Sequence, residues 1–253
     1  MLIDKTQVEE KDFPAVRVVK VGTLRLEASE VASTVGFEIK SALGIGGGST
    51  VTLIKANRTI LVDTGFDFEW LNTIDNHERN TRGLIRALRN SEAAPDDVDV
   101  LFFTHWHSDH SGNLSLFKKA QYMVSKPLSE RLGSTSLIGL NDREEIAKGV
   151  TVLFTPGHTV DHASLIVDTS IGGVRVRVAI AGDAVISHSY FQSGRIWNYN
   201  SDFHDMSIAR KSILRIIDHS DIIIPGHGVP FNTFQPEWAK SLMNLNVSKN
   251  PAA

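Results

Sequence analysis

The chain has 253 residues, room for one large domain or two small ones, and its 42% hydrophobic and 22% charged residues mark an ordinary globular protein, neither disordered nor fibrous. With 26 basic and 29 acidic residues its formal charge is -3, which argues against holding nucleic acid or an anionic membrane by bulk electrostatics and leaves a local basic patch open. Ten histidines stand beside no cysteine. A disulfide framework, a thiolate metal site and a cysteine nucleophile are therefore excluded, and any transition metal must be held by imidazole and carboxylate.

The start of the chain, MLIDKTQVEEKDF, is charged throughout and lacks the apolar core of a signal peptide. No apolar stretch approaches the roughly 20 residues that span a bilayer, so the expectation is a cytoplasmic protein without a membrane partner. Strands are expected in VRVVKVGTL from Val16, STVTLIKA from Ser49, RTILVDTG from Arg58 and VDVLFFTH from Val98, each rich in Val, Ile or Leu and bounded by turn residues. The Ala56-Asn57-Arg58 junction reads as a hairpin turn. The Gly-rich GIGGGS from Gly44 is either a flap or a plain hairpin loop. Over 77–90, Leu84, Ile85 and Leu88 share one face of a helix while Arg79, Arg82, Arg86 and Arg89 lie elsewhere, which makes a solvated face a better explanation than a phosphate site. Further strands are expected at 121–125, 150–154, 163–167 and 174–181, the last two joined through Gly172-Gly173. A second helix over 208–219 leads into the strand DIII at Asp221, and the last fifteen residues read as a short helix and a tail.

The pattern contains an internal echo. One strand ends in Asp63 and the next reaches His105, 42 residues on; later one ends in Asp183 and the next reaches His227, 44 residues on. Two such halves would pack as two sheets with helices outside, their loops meeting at one edge.

The chemistry sits in those loops. THWHSDHSGN from Thr104 puts His105, His107, Asp109 and His110 directly after an apolar strand. Residues two apart at a strand end point to one side, so His105 and His107 can grip one ion, while Asp109 and His110 at a helix start are displaced toward a second. A packed core gains nothing from adjacent unsatisfied imidazoles. TPGHT with His158, AGDA with Asp183 and PGHG with His227 each offer one more ligand after a strand. Singly these are weak signals. Together they make five imidazoles and two carboxylates, enough for two ions in a nitrogen and oxygen site with a hydroxide between them. Glycines at 157, 182, 226 and 228 would let the backbone come close to so crowded a site.

In order and spacing, the DTG at Asp63, the His-x-His-x-Asp-His run, TPGHT, the isolated Asp183 and the Gly-His at His227 resemble the metallo-β-lactamase superfamily. The resemblance covers about 16–235. It implies an α/β fold, the four-layer αββα sandwich, and one domain over 1–253. It also implies that His105, His107 and His158 hold a first ion and Asp109, His110 and His227 a second, with Asp183 bridging and Asp63 bracing the site from beneath. Two divalent ions, zinc ahead of manganese or iron, would then serve a hydrolase in which Asp109 both binds metal and orients the nucleophile.

Departures narrow the branch. No cysteine stands at a ligand position, and His107 replaces the Glu of the flavin-linked diiron members. The acyl-homoserine lactonases carry a tyrosine shortly after the bridging Asp, where this chain reads Ala184, Val185, Ile186; the helical C-terminal part of glyoxalase II has no counterpart. THWHSDHSGNLSLF and DIIIPGHGVPF are most similar to the small single-domain branch that includes a vertebrate histone pre-mRNA nuclease. The reading favours a small-molecule ester, thioester or lactone as substrate. A phosphodiesterase or nuclease, with nucleic acid as partner, and a mononuclear iron dioxygenase of sulfur compounds are the alternatives, and homo-oligomerisation is left open. Tyr190, Phe191, Trp197, Tyr199 and Phe203 crowd the segment after Asp183, where they either line a pocket or pin the loop. His188 and His204 in that segment read as exposed, and His162 as a bracing or structural residue because it lies in a loop.

Overall fold

The computed structural model describes residues 13–24, 47–67 and 74–233. The charged N-terminus, Gly44 to Gly46 of the glycine-rich stretch and the expected C-terminal helix and tail lie outside these residues. Twelve strands form two six-stranded sheets among the described residues. The first has the order β1 (Ala15–Lys20), β2 (Val51–Lys55), β3 (Thr59–Val62), β4 (Val100–Phe102), β5 (Gln121–Ser125), β6 (Leu137–Leu140). The second has the order β12 (Phe231–Asn232), β11 (Ile222–Pro225), β10 (Val174–Gly182), β9 (Ala163–Ile171), β8 (Val150–Phe154), β7 (Glu145–Ala147). Helix α1 (Ile74–Asn90) connects β3 to β4, and the short α2 (Ser108–Ser111) follows β4. Helix α3 (Lys126–Leu132) follows β5, α4 (His188–Ser193) lies in the aromatic segment, and α5 (Met206–His219) leads to β11.

Strict alternation explains the layering. On β3, Ile60 and Val62 face the other sheet and Leu61 faces out; on β10, Val178 and Ile180 face in and Ala179 and Ala181 out. The inward set from both sheets makes a central core with Val100, Phe102, Val152, Leu165 and Ile224. Leu61, Leu101 and Phe103 pack outward against Leu84 and Leu88 of α1. Ala179, Ala181 and Ile223 pack outward against Ile213, Ile216 and Ile217 of α5. Three apolar layers between four layers of backbone are the αββα sandwich, and strands buried on both faces read as the unbroken apolar runs seen in the sequence.

The echo is a real repeat of topology. β3 and β4 are parallel with α1 between them, and β10 and β11 are parallel with α5 between them. Asp63, His105, Asp183 and His227 therefore follow the carboxyl ends of parallel strands. β8, which points the same way as β10 through two antiparallel pairings, brings His158 to the same edge. The expected strands are present, with β9 and β10 extended to a hairpin whose Gly172 and Gly173 have φ of 59° and 76°. Strands β6, β7 and β12 and helices α3 and α4 were not expected; all are short and lack a full period of pattern. Arg82, Arg86 and Arg89 on α1 are exposed, in line with a solvated face. No described helix is long and apolar enough to cross a membrane.

Candidate metal centre

Seven metal-competent side chains converge where the two sheets meet at this edge. The ligand atoms of His105, His107, His158 and Asp183 lie within 4.8 Å of one another, as do those of Asp109, His110 and His227. In the first group His105 Nε2 is 2.9 Å from His107 Nδ1, which is 3.1 Å from His158 Nε2. In the second, Asp109 Oδ2 is 3.5 Å from His110 Nε2 and 3.3 Å from His227 Nε2. Asp183 divides its carboxylate between them. Its Oδ2 is 3.3 Å from His158 Nε2 and 3.9 Å from His105 Nε2, while its Oδ1 is 3.2 Å from His110 Nε2 and 3.4 Å from His227 Nε2.

The backbone that achieves this is tight. A Cβ at Gly226 would stand 1.8 Å from Asp183 Oδ1, so no other residue leaves that oxygen its place. Asp63 has φ of 59°, a left-handed conformation that costs an L-residue energy and that Asp tolerates better than most. It turns a buried carboxylate under the site, where Asp63 Oδ1 accepts from Thr104 N at 3.0 Å and Oδ2 accepts from Thr104 Oγ1 at 2.9 Å. Oδ2 also faces His110 Nδ1 at 2.8 Å. Thr104 Oγ1, having given its proton to Asp63, is left to accept from His105 Nδ1 at 3.1 Å. One carboxylate thus sets the tautomer of a histidine in each group, directly for His110 and through Thr104 for His105, presenting both Nε2 lone pairs to the site. His227 Nδ1 is fixed by the Thr23 carbonyl at 3.1 Å.

Charge differs across the centre. Burial, reinforced by the neighbouring rings of His110 and His107, pushes His105 well below its usual pKa, and burial takes His158 down to about 4. Burial acts the same way on His227, but Asp183 and Asp109 outweigh it and raise it to about 10. His110 is likewise raised against burial by Asp109, Asp183 and Asp63. Asp183 is held well below the carboxylate range despite its burial, by His110, His227 and His158. The arrangement demands positive charge at its centre, and the donor set fits a divalent cation. Imidazole nitrogens that face each other at 2.9–3.1 Å need something positive between them, and among the described residues the buried His110 Nε2 and Asp183 Oδ1 face only each other and the remaining ligand atoms of the site.

His162 is buried outside both groups. Its ring lies 5.1 Å from that of His105 and its Nδ1 meets Thr155 Oγ1 at 2.9 Å, a bracing place in the core. His188 and His204 are exposed, His188 stacking on Phe231. Of the aromatics after Asp183, Tyr190, Phe191 and Trp197 are buried, Tyr190 and Trp197 in one cluster with Ile186 and partly buried Tyr199. These rings do both: their packing pins the loop, and Tyr190, Phe191 and Trp197 also line a narrow cleft beside His158 and Asp183. The sequence offered no signal for one further residue, Asp202 in an unremarkable turn, whose carboxylate lies 3.0 and 3.1 Å from His107 Nε2.

A family model described as the metallo-beta-lactamase superfamily matches residues 44–227. The chain belongs to that superfamily. With membership goes the general class of chemistry, metal-dependent hydrolysis. The metallo-beta-lactamase domain-containing protein 1 of Xenopus laevis is 34% identical over 191 residues, covering 74% of this chain and 73% of that protein. Among solved structures, a Staphylococcus aureus protein described as a probable metal-dependent hydrolase is 16% identical, covers 87% of this chain and 91% of its own, and has a TM-score of 0.61. A Bacillus thuringiensis protein with N-decanoyl-L-homoserine bound at its active site is 20% identical, covers 85% and 93%, and has a TM-score of 0.59. At such identities the two structures speak for the fold, which they share with this chain.

Proposed function

We propose that this chain holds two divalent ions, zinc ahead of manganese or iron, and hydrolyses a small ester, thioester or lactone. The observation that carries two ions over one is the division of Asp183, with one oxygen within 3.3 Å of the first group's His158 and the other within 3.2 Å of the second group's His110. A pair of ions there would acidify a water toward neutral pH and stabilise the oxyanion formed on attack. His105, His107 and His158 hold the first ion, Asp109, His110 and His227 the second, and Asp183 both.

Asp109 is the catalytic carboxylate. Its side chain is 14% exposed against 5% for Asp183, so it borders the opening. Against its partial burial, it is kept below the usual carboxylate range by His110 and His227, and so stays ionised. With Oδ2 turned to those rings, its other oxygen is free to accept a hydrogen bond from the attacking water and orient it. A narrow cleft beside His158 and Asp183 is walled by Ile186, Tyr190 and Trp197, with Arg195 at one side. These apolar walls border the reacting centre, where the apolar part of a small substrate would lie against them. The Bacillus thuringiensis neighbour, with an acyl-homoserine at its active site, is one precedent for acyl chemistry on this fold. Ala184, Val185 and Ile186, where lactonases carry their tyrosine, point to a different polar partner for the substrate here. We further propose that the chain, 1–253, is a single domain with its core in about 16–235, since both halves of the chain supply the shared core and the ligands.

The test is purification without chelator, metal counting, and a rate screen over aryl esters, thioesters, lactones, lactams and bis-aryl phosphates. Two ions per chain with fastest turnover on an ester, thioester or lactone is the expected outcome, and His105→Ala abolishes that turnover while keeping the fold. One iron per chain, or a clear preference for the phosphodiester, overturns the proposal.

A further inference from the structure

The segment after Asp183 does something beyond walling the cleft. It leaves the metal loops at Ile186, is anchored by Tyr190 and Trp197, and returns over the first ligand group at Asn200 and Asp202. Asn200 Nδ2 donates both to the His158 carbonyl at 2.9 Å and to Asp202 Oδ1 at 2.8 Å. Asp202 in turn offers both oxygens to His107 Nε2, at 3.0 and 3.1 Å, across 95 positions of sequence. His107 is the odd member of its group. It turns Nδ1 inward where His105 and His158 turn Nε2, and its side chain is 27% exposed where theirs are nearly closed off. Protein packing on its exposed side is therefore weak, and a directional partner on Nε2 is needed to hold the ring.

We infer that Asp202 is a positioning residue for the first ion, carried to His107 by the aromatic-anchored loop and steadied there by Asn200. Accepting the Nε2 proton fixes the tautomer that leaves Nδ1 as a lone-pair donor and makes that nitrogen more basic. The inference rests on the two-ion reading of the site.

The experiment is a stepwise zinc titration of the chelator-stripped full chain against a chromophoric competitor, for the wild type, Asp202→Asn, Asp202→Ala and the surface control Asp96→Asn. The step that His158→Ala abolishes marks the first group. Groups that brace a metal ligand are worth about 10–100-fold in affinity. Asp202, whose side chain is 50% exposed and so partly screened, belongs at the low end. First-ion affinity is expected to fall about tenfold in both Asp202 variants, with the second ion and the control within about twofold of wild type, and the visible spectrum of the cobalt-loaded first group shifted. The melting temperature of the metal-free variants stays at the wild-type value. Wild-type affinity for both ions overturns the inference, as does an equal fall for both ions with a lower metal-free melting temperature, which is the mark of a merely structural role. A wild-type chain that takes up no zinc overturns the two-ion reading itself and the inference with it.

Discussion

The two ligand groups lie side by side yet are built differently. The first joins two sealed rings whose burial keeps them neutral, His105 and His158, to one rim histidine whose outer partner is a half-exposed carboxylate. The second pairs two sealed rings, His110 and His227, with acids that raise both above the ordinary histidine range. It is braced from within by Asp63 and by the backbone of Thr23. Burial alone therefore does not decide how a ligand histidine behaves. Where at most one carboxylate stands within about 3.5 Å, as Asp183 does for His158, desolvation wins and the ring is a ready lone-pair donor; where two or more do, as for His227 and His110, Coulomb attraction wins and the ring keeps a proton that a metal must displace.

The largest effect expected is the collapse of this contrast. Asp183→Asn removes the one carboxylate that both groups share, so binding of both ions should weaken by more than the 10–100-fold typical of a bracing residue, and turnover should fall with it. Metal counts and kcat on one substrate measure this, and loss of a single ion would mean that the groups are less dependent on Asp183 than its geometry implies. Asp63→Ala should act unevenly. It strips His110 of its direct partner and His105 only of an indirect one, so the second ion should lose about 10–100-fold and the first less; equal losses would contradict the relay through Thr104.

The smallest effect is in the pH profile of the metal-free chain. His158, at about 4, and His105 and His162, which burial holds well below the usual histidine range, resist protons that the unfolded chain accepts below pH 6.5, so stability falls as pH drops from 6.5 toward 4. His227, raised to about 10, His110 and, in the first group, His107, raised against burial by Asp202, contribute stability that is complete below pH 6.5 and is lost as pH rises above it. Melting temperature should thus peak near pH 6.5 without metal. Zinc should remove the alkaline decline, because the ion takes over the role of the protons. A flat metal-free profile between pH 4 and 10 would show that the two groups do not differ in charge.

Much of this was legible in the chain because its signals are local. Four candidate ligands within His105 to His110, directly after VLFF, need only strand geometry to be understood. The echo of acid and histidine after paired strands proved to be two parallel crossovers, since unbroken apolar runs such as ILV at 60–62 and VAIA at 178–181 suit strands buried on both faces. Elements too short to complete a period, β6, β7 and α4 among them, left no such trace. The aromatic segment was ambiguous for a different reason: a pocket wall and a loop anchor have the same composition, and the fold makes Tyr190, Phe191 and Trp197 both, buried in the packing of the loop and lining the cleft.

The sequence alone thus determined which side chains were available, imidazole and carboxylate without thiolate, and that two halves of the chain would bring them to one edge. Tertiary structure decided how they are shared: that Asp183 gives one oxygen to each group, that Gly226 clears the space for it, that Asp63 reaches both groups, and that Asp202 meets His107. These are contacts of single atoms between segments up to 95 residues apart. Hydrophobic periodicity fixes which way a strand faces, but the last ångström of a side chain is set by the neighbours that packing brings to it.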